Sequence, residues 1–521
     1  MKKRYNEKLK EGGSVRERVH VPLRYIVALL IAVLEISGII GIVVLLCYAS
    51  PYFYALCVAV GVLCAVGIAA SDNNPDYKIP WLILVITVPV IGFMLYFMFY
   101  SRKLKPRFIK RMDAVRAYAY EYCDEEIFES LAKEDVVAAS QARMLTSISH
   151  SHLFEGADER YFPSGREMLD SLLFDLEGAE RFILIESFII DEGVFLDSVL
   201  DVLIRKVKAG VDVRVMYDDI GCMTTLPGNY DKILREQGIK TAIFSKLRGS
   251  ADGEFNNRSH RKIIVIDGEV AYTGGINIAD EYIGEKLRFG HWKDSAIRLR
   301  GDAVRELTWL FLASFGMNSR SLPRMPDGAY PEPKGGASRG YVVPFGDGPR
   351  PLYKHAVSKF AIQNMLSTAT DYVYMTTPYL IIDNDLCSDI ERAALRGVDV
   401  RIIVPHIPDK KIVFAVTRSF YQRLTDAGVS IYEYEPGFIH SKTYVADGKY
   451  AIVGTVNLDY RSLVHHFEDG VWMYRTDAID DIRRDIEKTL SESIPITRDM
   501  LRVGLGAKFI RALVRIFAPM M

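Results

Sequence analysis

His260-Arg261-Lys262-Ile263-Ile264-Val265-Ile266-Asp267, followed by Gly274-Gly275-Ile276-Asn277, has a counterpart in His440-Ser441-Lys442-Thr443-Tyr444-Val445-Ala446-Asp447, followed by Gly454-Thr455-Val456-Asn457. The step from His260 to Asn277 equals that from His440 to Asn457, 17 residues. Five residue types kept at one spacing mark an internal duplication. The neighbouring sequence agrees. RFILIESFII (181–190) and then GVDVRVMYDD (210–219) match DYVYMTTPYLII (371–382) and then GVDVRIIVP (397–405), with a helical pattern ending in KAG or LRG between them. Strands alternating with helices predict α/β layers, helices covering a largely parallel or mixed sheet, once in each half.

Side chains alternate along a strand, so His260 and Lys262 share a face, as do His440 and Lys442. Each half therefore delivers an imidazole beside an ammonium. Two such sets facing across a pseudo-twofold axis would converge on one point, whose natural occupant is a phosphodiester. Lysines neutralise its non-bridging oxygens and the charge of the transition state. One histidine attacks phosphorus and the other protonates the leaving oxygen, then deprotonates the incoming hydroxyl. The lysines supply the charge that a two-metal site would bring, so no metal or other cofactor is expected. Asn277 and Asn457 are candidate hydrogen-bond donors to the phosphate. Asp267 and Asp447 complete the catalytic motif, with fixing the next turn as their expected part in it. A nucleophilic imidazole needs its far nitrogen held by an acceptor. The carboxylates downstream of the two motifs, Asp294 in HWKDS and Glu468 in HHFEDG, are the candidates. His291, His465 and His466 read as polar neighbours, since no zinc-type spacing surrounds them.

The rest of the chain sets the context. Its 65 Lys+Arg against 66 Asp+Glu exclude a global basic field for nucleic acid. Six scattered cysteines form neither a disulfide framework nor a zinc site. Apolar runs cover Tyr25 to Tyr48, Tyr52 to Ala70 and Trp81 to Tyr100, the last interrupted by Pro89. At about 1.5 Å per residue the first crosses a hydrocarbon layer roughly 30 Å thick. Basic clusters before the first run (Lys2 to Arg24) and after the third (Arg102 to Arg111) place both ends on the cytoplasmic side, hence two effective crossings with the large domain inside. The expected divisions are a membrane anchor of two to three helices at 1–111, the two halves at 112–330 and 331–495, and a basic amphipathic helix at 496–521. Ser321 to Pro351, with 13 prolines and glycines in 31 residues, reads as a linker or long surface loop.

With YFPSG (161–165), GHWKD (290–294), TTPYLI (376–381), GFIHSK (437–442) and VGTVNLDYRS (453–462), the paired motifs resemble the phospholipase D superfamily and, within it, the bacterial cardiolipin synthases. The resemblance covers almost the whole chain. It implies two tandem phospholipase D-like α/β halves behind hydrophobic transmembrane helices. It also implies transfer of a phosphatidyl group from one phosphatidylglycerol to another, giving cardiolipin and glycerol, with His260 as nucleophile and His440 as acid/base. Phosphatidylglycerol and anionic membrane lipids are then the partners and the bacterial cell membrane the location. Hydrolysis and headgroup exchange with another alcohol, as in a phosphatidylserine synthase, use the same machinery and differ only in the acceptor. A nuclease or a non-enzymatic membrane scaffold fits less well. The chain departs from the family in having three apolar runs where two are common, and His466 where Asn more often precedes Phe-Glu.

Overall fold

A computed structural model describes residues 23–71, 74–99, 110–111, 114–115, 119–246, 256–319, 323–332, 338–502, 504–516 and 518–520. Most of the two basic clusters flanking the apolar runs therefore lies outside the described residues.

The duplication appears as two mixed sheets with one strand order. In the first, the order is Asp158–Phe162, Ala296–Arg300, Val270–Gly274, Ile263–Ile266, Phe182–Ser187, Asp212–Asp218 and Lys240–Phe244. In the second, Tyr341–Asp347, Glu468–Tyr474, Tyr450–Gly454, Thr443–Ala446, Tyr372–Thr376, Asp399–Pro405 and Ser430–Tyr434 follow the same sequence of neighbours, with the short strands Phe154–Glu155 and Ser493–Pro495 added at the edges. Pairing sense is conserved as well. The central strand runs parallel to the next α/β strand (Phe182 beside Asp212; Tyr372 beside Asp399) and antiparallel to the motif strand. Between those parallel strands each helix stops at a glycine in the left-handed region, Gly210 and Gly397, both at φ 94°. That conformation carries no Cβ penalty for glycine alone, so KAG and LRG end their helices there.

The motif strands are apolar on both faces because both are covered. Ile263 and Val265 enter a core shared by the two sheets, together with Val445, Val453 and Val471. Ile264 and Ile266 enter the core under the outer helices of the first half, with Phe195 and Val199. The shared core joins the halves into one body.

Two sequence expectations change. Tyr341–Asp347, inside the Pro/Gly-rich stretch read as a linker, is a wholly buried strand paired along its length with Glu468–Tyr474. Its other neighbour covers only Tyr341 and Val342, so Pro344 lies where the strand has one partner and a missing N–H removes no ladder bond. Helices Glu125–Glu134 and Val136–Ser149, in the stretch assigned to the first half, pack through Phe128, Leu131 and Leu145 on the core of the second.

The N-terminal apolar runs form helices Leu23–Ala49, Pro51–Ala70, Pro75–Thr87 and Pro89–Phe99. The third run breaks at Val88, as a proline lacking an N–H and clashing with the preceding turn requires. Among the described residues one helix, Pro51–Ala70, is long and apolar enough to cross a membrane. The start of the next helix, Pro75–Thr87, docks on the second half. Asp76 accepts from the Asn384 N–H at 2.6 Å and from the Tyr460 hydroxyl at 3.1 Å, and the Tyr77 ring lies 5.6 Å from that of His465.

Candidate active site

Each motif histidine follows a residue in a short parallel pairing with the opposite half. Gly437–Ile439 runs beside His291–Lys293, with Ile439 opposite Lys293. Ser259 pairs in the same sense with Phe467. The His440 N–H donates to the Lys293 carbonyl at 2.7 Å and the His260 N–H to the Phe467 carbonyl at 2.9 Å. One residue further along each pairing, imidazole meets carboxylate. His440 Nδ1 lies 2.6 Å from Asp294 Oδ2, and His260 Nδ1 lies 3.0 Å from Glu468 Oε2. Each histidine is thus held by the carboxylate of the other half. All four residues are buried.

An ionised carboxylate only accepts, so the Nδ1–H of each neutral imidazole donates to it and leaves the Nε2 lone pair free. Burial, with the neighbouring lysine ammonium, pushes His260 down to about 3 and His440 down to about 4, against the pull of Glu468 and Asp294. Both rings are therefore neutral near pH 7. Against burial, Glu468 is held well below the usual carboxylate range by the adjacent imidazoles, and Asp294 is lowered by Lys442 and His440. Burial also brings Lys262 to about 8 and Lys442 to about 7, with Asp294 and Glu468 opposing the shift. The ammonium of Lys262 donates to the His260 carbonyl at 2.6 Å, and that of Lys442 donates to the His440 carbonyl.

The halves solve one packing problem in two ways. A Cβ on Gly275 would collide with the Asp294 carboxylate. At the matching position Thr455 fits, and its hydroxyl donates to Glu468.

His260 and His440 open onto one cavity of about 540 Å³, also lined by Asn277, Asn457, Tyr282, Trp292, Phe438 and His466. The carboxamide NH₂ groups have partners there: Asn277 donates to the Tyr282 hydroxyl at 2.6 Å and Asn457 to Asp459 at 2.9 Å. Asn457 Oδ1 is buried without a partner among the described residues. Asp267 and Asp447 stand elsewhere, at the far ends of the motif strands. Asp267 accepts from the N–H groups of Glu180, Arg181 and Phe182 at 2.7 to 2.8 Å. Asp447 accepts from those of Thr370, Asp371 and Tyr372 at 2.8 to 2.9 Å. Both sit at positive φ, 53° and 54°, a conformation aspartate tolerates better than most residues.

Arg258 and Trp292, both on the cavity wall, were given no part in the sequence reading. Arg258 is clamped on Asp218 by three contacts of 2.8 to 3.0 Å and fixes the approach to His260; Phe438 stands at its place in the second half, so no repeat flagged it. Trp292 and His466 hold matching positions, their rings 5.6 Å from His440 and 5.7 Å from His260. For metal binding, His260, His466 and Glu468 bring potential ligand atoms within 4.8 Å of one another. Glu468 already holds His260 through both oxygens, and the Lys262 charge beside it opposes a cation.

Paired histidines and lysines on duplicated α/β halves are the arrangement of a phospholipase D-type enzyme. The family profile "Cardiolipin synthase, PLD-like domain" matches residues 172–287 and 362–490, and "Phospholipase D-nuclease N-terminal" matches 53–99. The chain belongs to the cardiolipin synthase family. It is 32% identical over 466 residues to a cardiolipin synthase of Geobacillus sp. (strain WCH70), covering 87% of this chain and 91% of that one. It is 31% identical to cardiolipin synthase 2 of Bacillus anthracis, covering 87% and 88%. An uncharacterized protein of Streptococcus mutans is 39% identical over 85% of this chain and 96% of its own length. The crystal structure of a phosphatidylserine synthase from Haemophilus influenzae shares the fold, with a TM-score of 0.55, 14% identity and coverage of 73% of this chain and 98% of that one.

Proposed function

We propose that the enzyme condenses two phosphatidylglycerol molecules into cardiolipin and glycerol through a covalent phosphatidyl-histidine. The observation that carries this reading is the pair of imidazoles in one cavity, each with Nδ1 tied to a carboxylate. His260 Nε2 attacks the donor phosphorus; the P–O bond to glycerol breaks, and the departing oxygen takes a proton from His440. An anionic phosphodiester bound among these groups adds negative charge and raises the pKa of His440, so the ring carries that proton when substrate is present. A hydroxyl of the second phosphatidylglycerol then gives its proton to His440 and attacks phosphorus. The P–N bond breaks and its electron pair returns to His260. Lys262 and Lys442 balance the non-bridging oxygens, with Asn277 and Asn457 as further partners.

The reaction belongs at a bacterial membrane. The apolar N-terminal helices make two crossings and leave the catalytic halves on the cytoplasmic face, beside anionic lipid that serves as substrate. Helix Leu505–Ile516, carrying Arg511 and Arg515, lies at the headgroup layer.

Purified enzyme in phosphatidylglycerol micelles containing a chelator is expected to form cardiolipin and glycerol in equal amounts. Phosphatidate as the sole lipid product would make it a hydrolase and overturn the reading.

A further inference from the structure

A second cavity, of about 760 Å³, adjoins the catalytic one. Tyr460 and Ala518 line both and form the wall between them. Its other walls come from three places: Ile79 on helix Pro75–Thr87, Ile382 and Phe420 of the second half, and Ala512 and Ile516 on helix Leu505–Ile516. The apolar N-terminal hairpin and the C-terminal helix thus close a cavity against the side of the active site.

Its carboxylates are engaged and its cation is held in place. Asp385 is held by Lys359 at 2.7 Å and Gln363 at 3.1 Å. Asp76 is occupied by the Asn384 N–H and the Tyr460 hydroxyl. Arg515 lies over the Phe420 ring, 4.4 Å from its centroid, a stacking that fixes a guanidinium without neutralising it. Asn74 and Asn384 add polar groups to the apolar walls, and with both carboxylates engaged by hydrogen bonds Arg515 is the cation among the lining residues that an anionic amphiphile would meet.

The catalytic cavity of about 540 Å³ is the size of a site for one small ligand. Transfer between two diacyl lipids brings two glycerophosphate headgroups to one phosphorus, and that volume suits one of them. Resting on the phosphatidyl-transfer reading, we propose that the second cavity seats the headgroup end of the acceptor lipid, an anionic glycerophospholipid. Its phosphate sits at Arg515 and its headgroup hydroxyl passes Tyr460 to reach the phosphatidyl-histidine. In the step served, the acceptor oxygen bonds to phosphorus, the P–N bond breaks toward His260 and the hydroxyl proton goes to His440.

The test uses the full chain and a donor whose p-nitrophenol leaving group reports formation of the phosphatidyl-enzyme. Phosphatidylglycerol and 1-butanol compete as acceptors. Ala512→Trp, which fills the cavity from the helix, is expected to lower the ratio of cardiolipin to phosphatidylbutanol about tenfold. Arg515→Gln, which leaves the volume, is expected to raise the KM for phosphatidylglycerol as acceptor without raising that for butanol. It decides the matter if the tryptophan variant does not fold. An unchanged product ratio together with an unchanged acceptor KM would overturn the proposal, as would an equal fall in both products and in p-nitrophenol release. A wild-type enzyme that releases p-nitrophenol but makes no cardiolipin would instead overturn the phosphatidylglycerol reading itself.

Discussion

Glu468 lies 3.0 Å from the Nδ1 of His260, a residue 208 positions away in the other half of the chain, while the histidine of its own motif, His440, is held by Asp294. Crossing the partners makes the halves interdependent. Neither half alone carries an oriented imidazole, so the duplicated motif yields one site and not two.

Neutralising either carboxylate while keeping its shape tests that dependence. Glu468→Gln and Asp294→Asn are each expected to lower kcat by roughly 10² to 10⁴-fold, because the imidazole loses its fixed tautomer and the charge that stabilises its protonated form. Steady-state kinetics on folded enzyme checks this. A loss below about tenfold would remove the orienting role.

The buried lysines set the alkaline limb of the pH profile. Lys442 at about 7 and Lys262 at about 8 lose their protons as pH rises, and the positive charge facing an anionic substrate goes with them. The apparent kcat/KM is expected to fall above that window as one coupled limb. Bound phosphodiester raises both values, so the limb in kcat lies at higher pH. On the acid side kcat/KM falls only as pH approaches about 3, where the nucleophile His260 gains a proton; His440, the acid of the first step, works in its protonated form, so its titration at about 4 does not remove activity. A kcat/KM still rising between pH 8 and 9.5 would contradict this placement of the ammonium groups.

The motif aspartates are expected to act on stability. Asp267→Ala or Asp447→Ala leaves three strand-edge N–H groups without their acceptor and places alanine at positive φ, costing about 1 to 3 kcal/mol. Asn, which keeps an acceptor and tolerates that conformation, is expected to cost less. Thermal unfolding reads the difference, with kcat of the folded enzyme near wild type. Loss of kcat with unchanged unfolding would place these residues in the chemistry.

Much of this was legible in the chain itself. The repeated motif with its glycines and asparagines carried the duplication, and the KAG and LRG endings carried the parallel crossovers. The crossed carboxylates were not legible, since Asp294 and Glu468 each follow their own motif in sequence. Their exchange depends on the parallel pairings of His291–Lys293 with Gly437–Ile439 and of Ser259 with Phe467, contacts set by tertiary packing. The strand Tyr341–Asp347 was hidden for a related reason: prolines and glycines signal a loop, and only the missing neighbour beside Pro344 shows why a strand accepts one there. Arg258 was invisible because it has no counterpart in the second half.

The division of labour between the histidines can be read directly. With a donor whose p-nitrophenol departs without help from an acid, His440→Ala is expected to form the phosphatidyl-enzyme and accumulate it, because no base activates the acceptor. Intact-mass and peptide analysis should place the adduct on His260, and His260→Ala should form none. An adduct on His440 in the His260→Ala enzyme, or no covalent adduct in either variant, would contradict one active site shared by two unequal histidines.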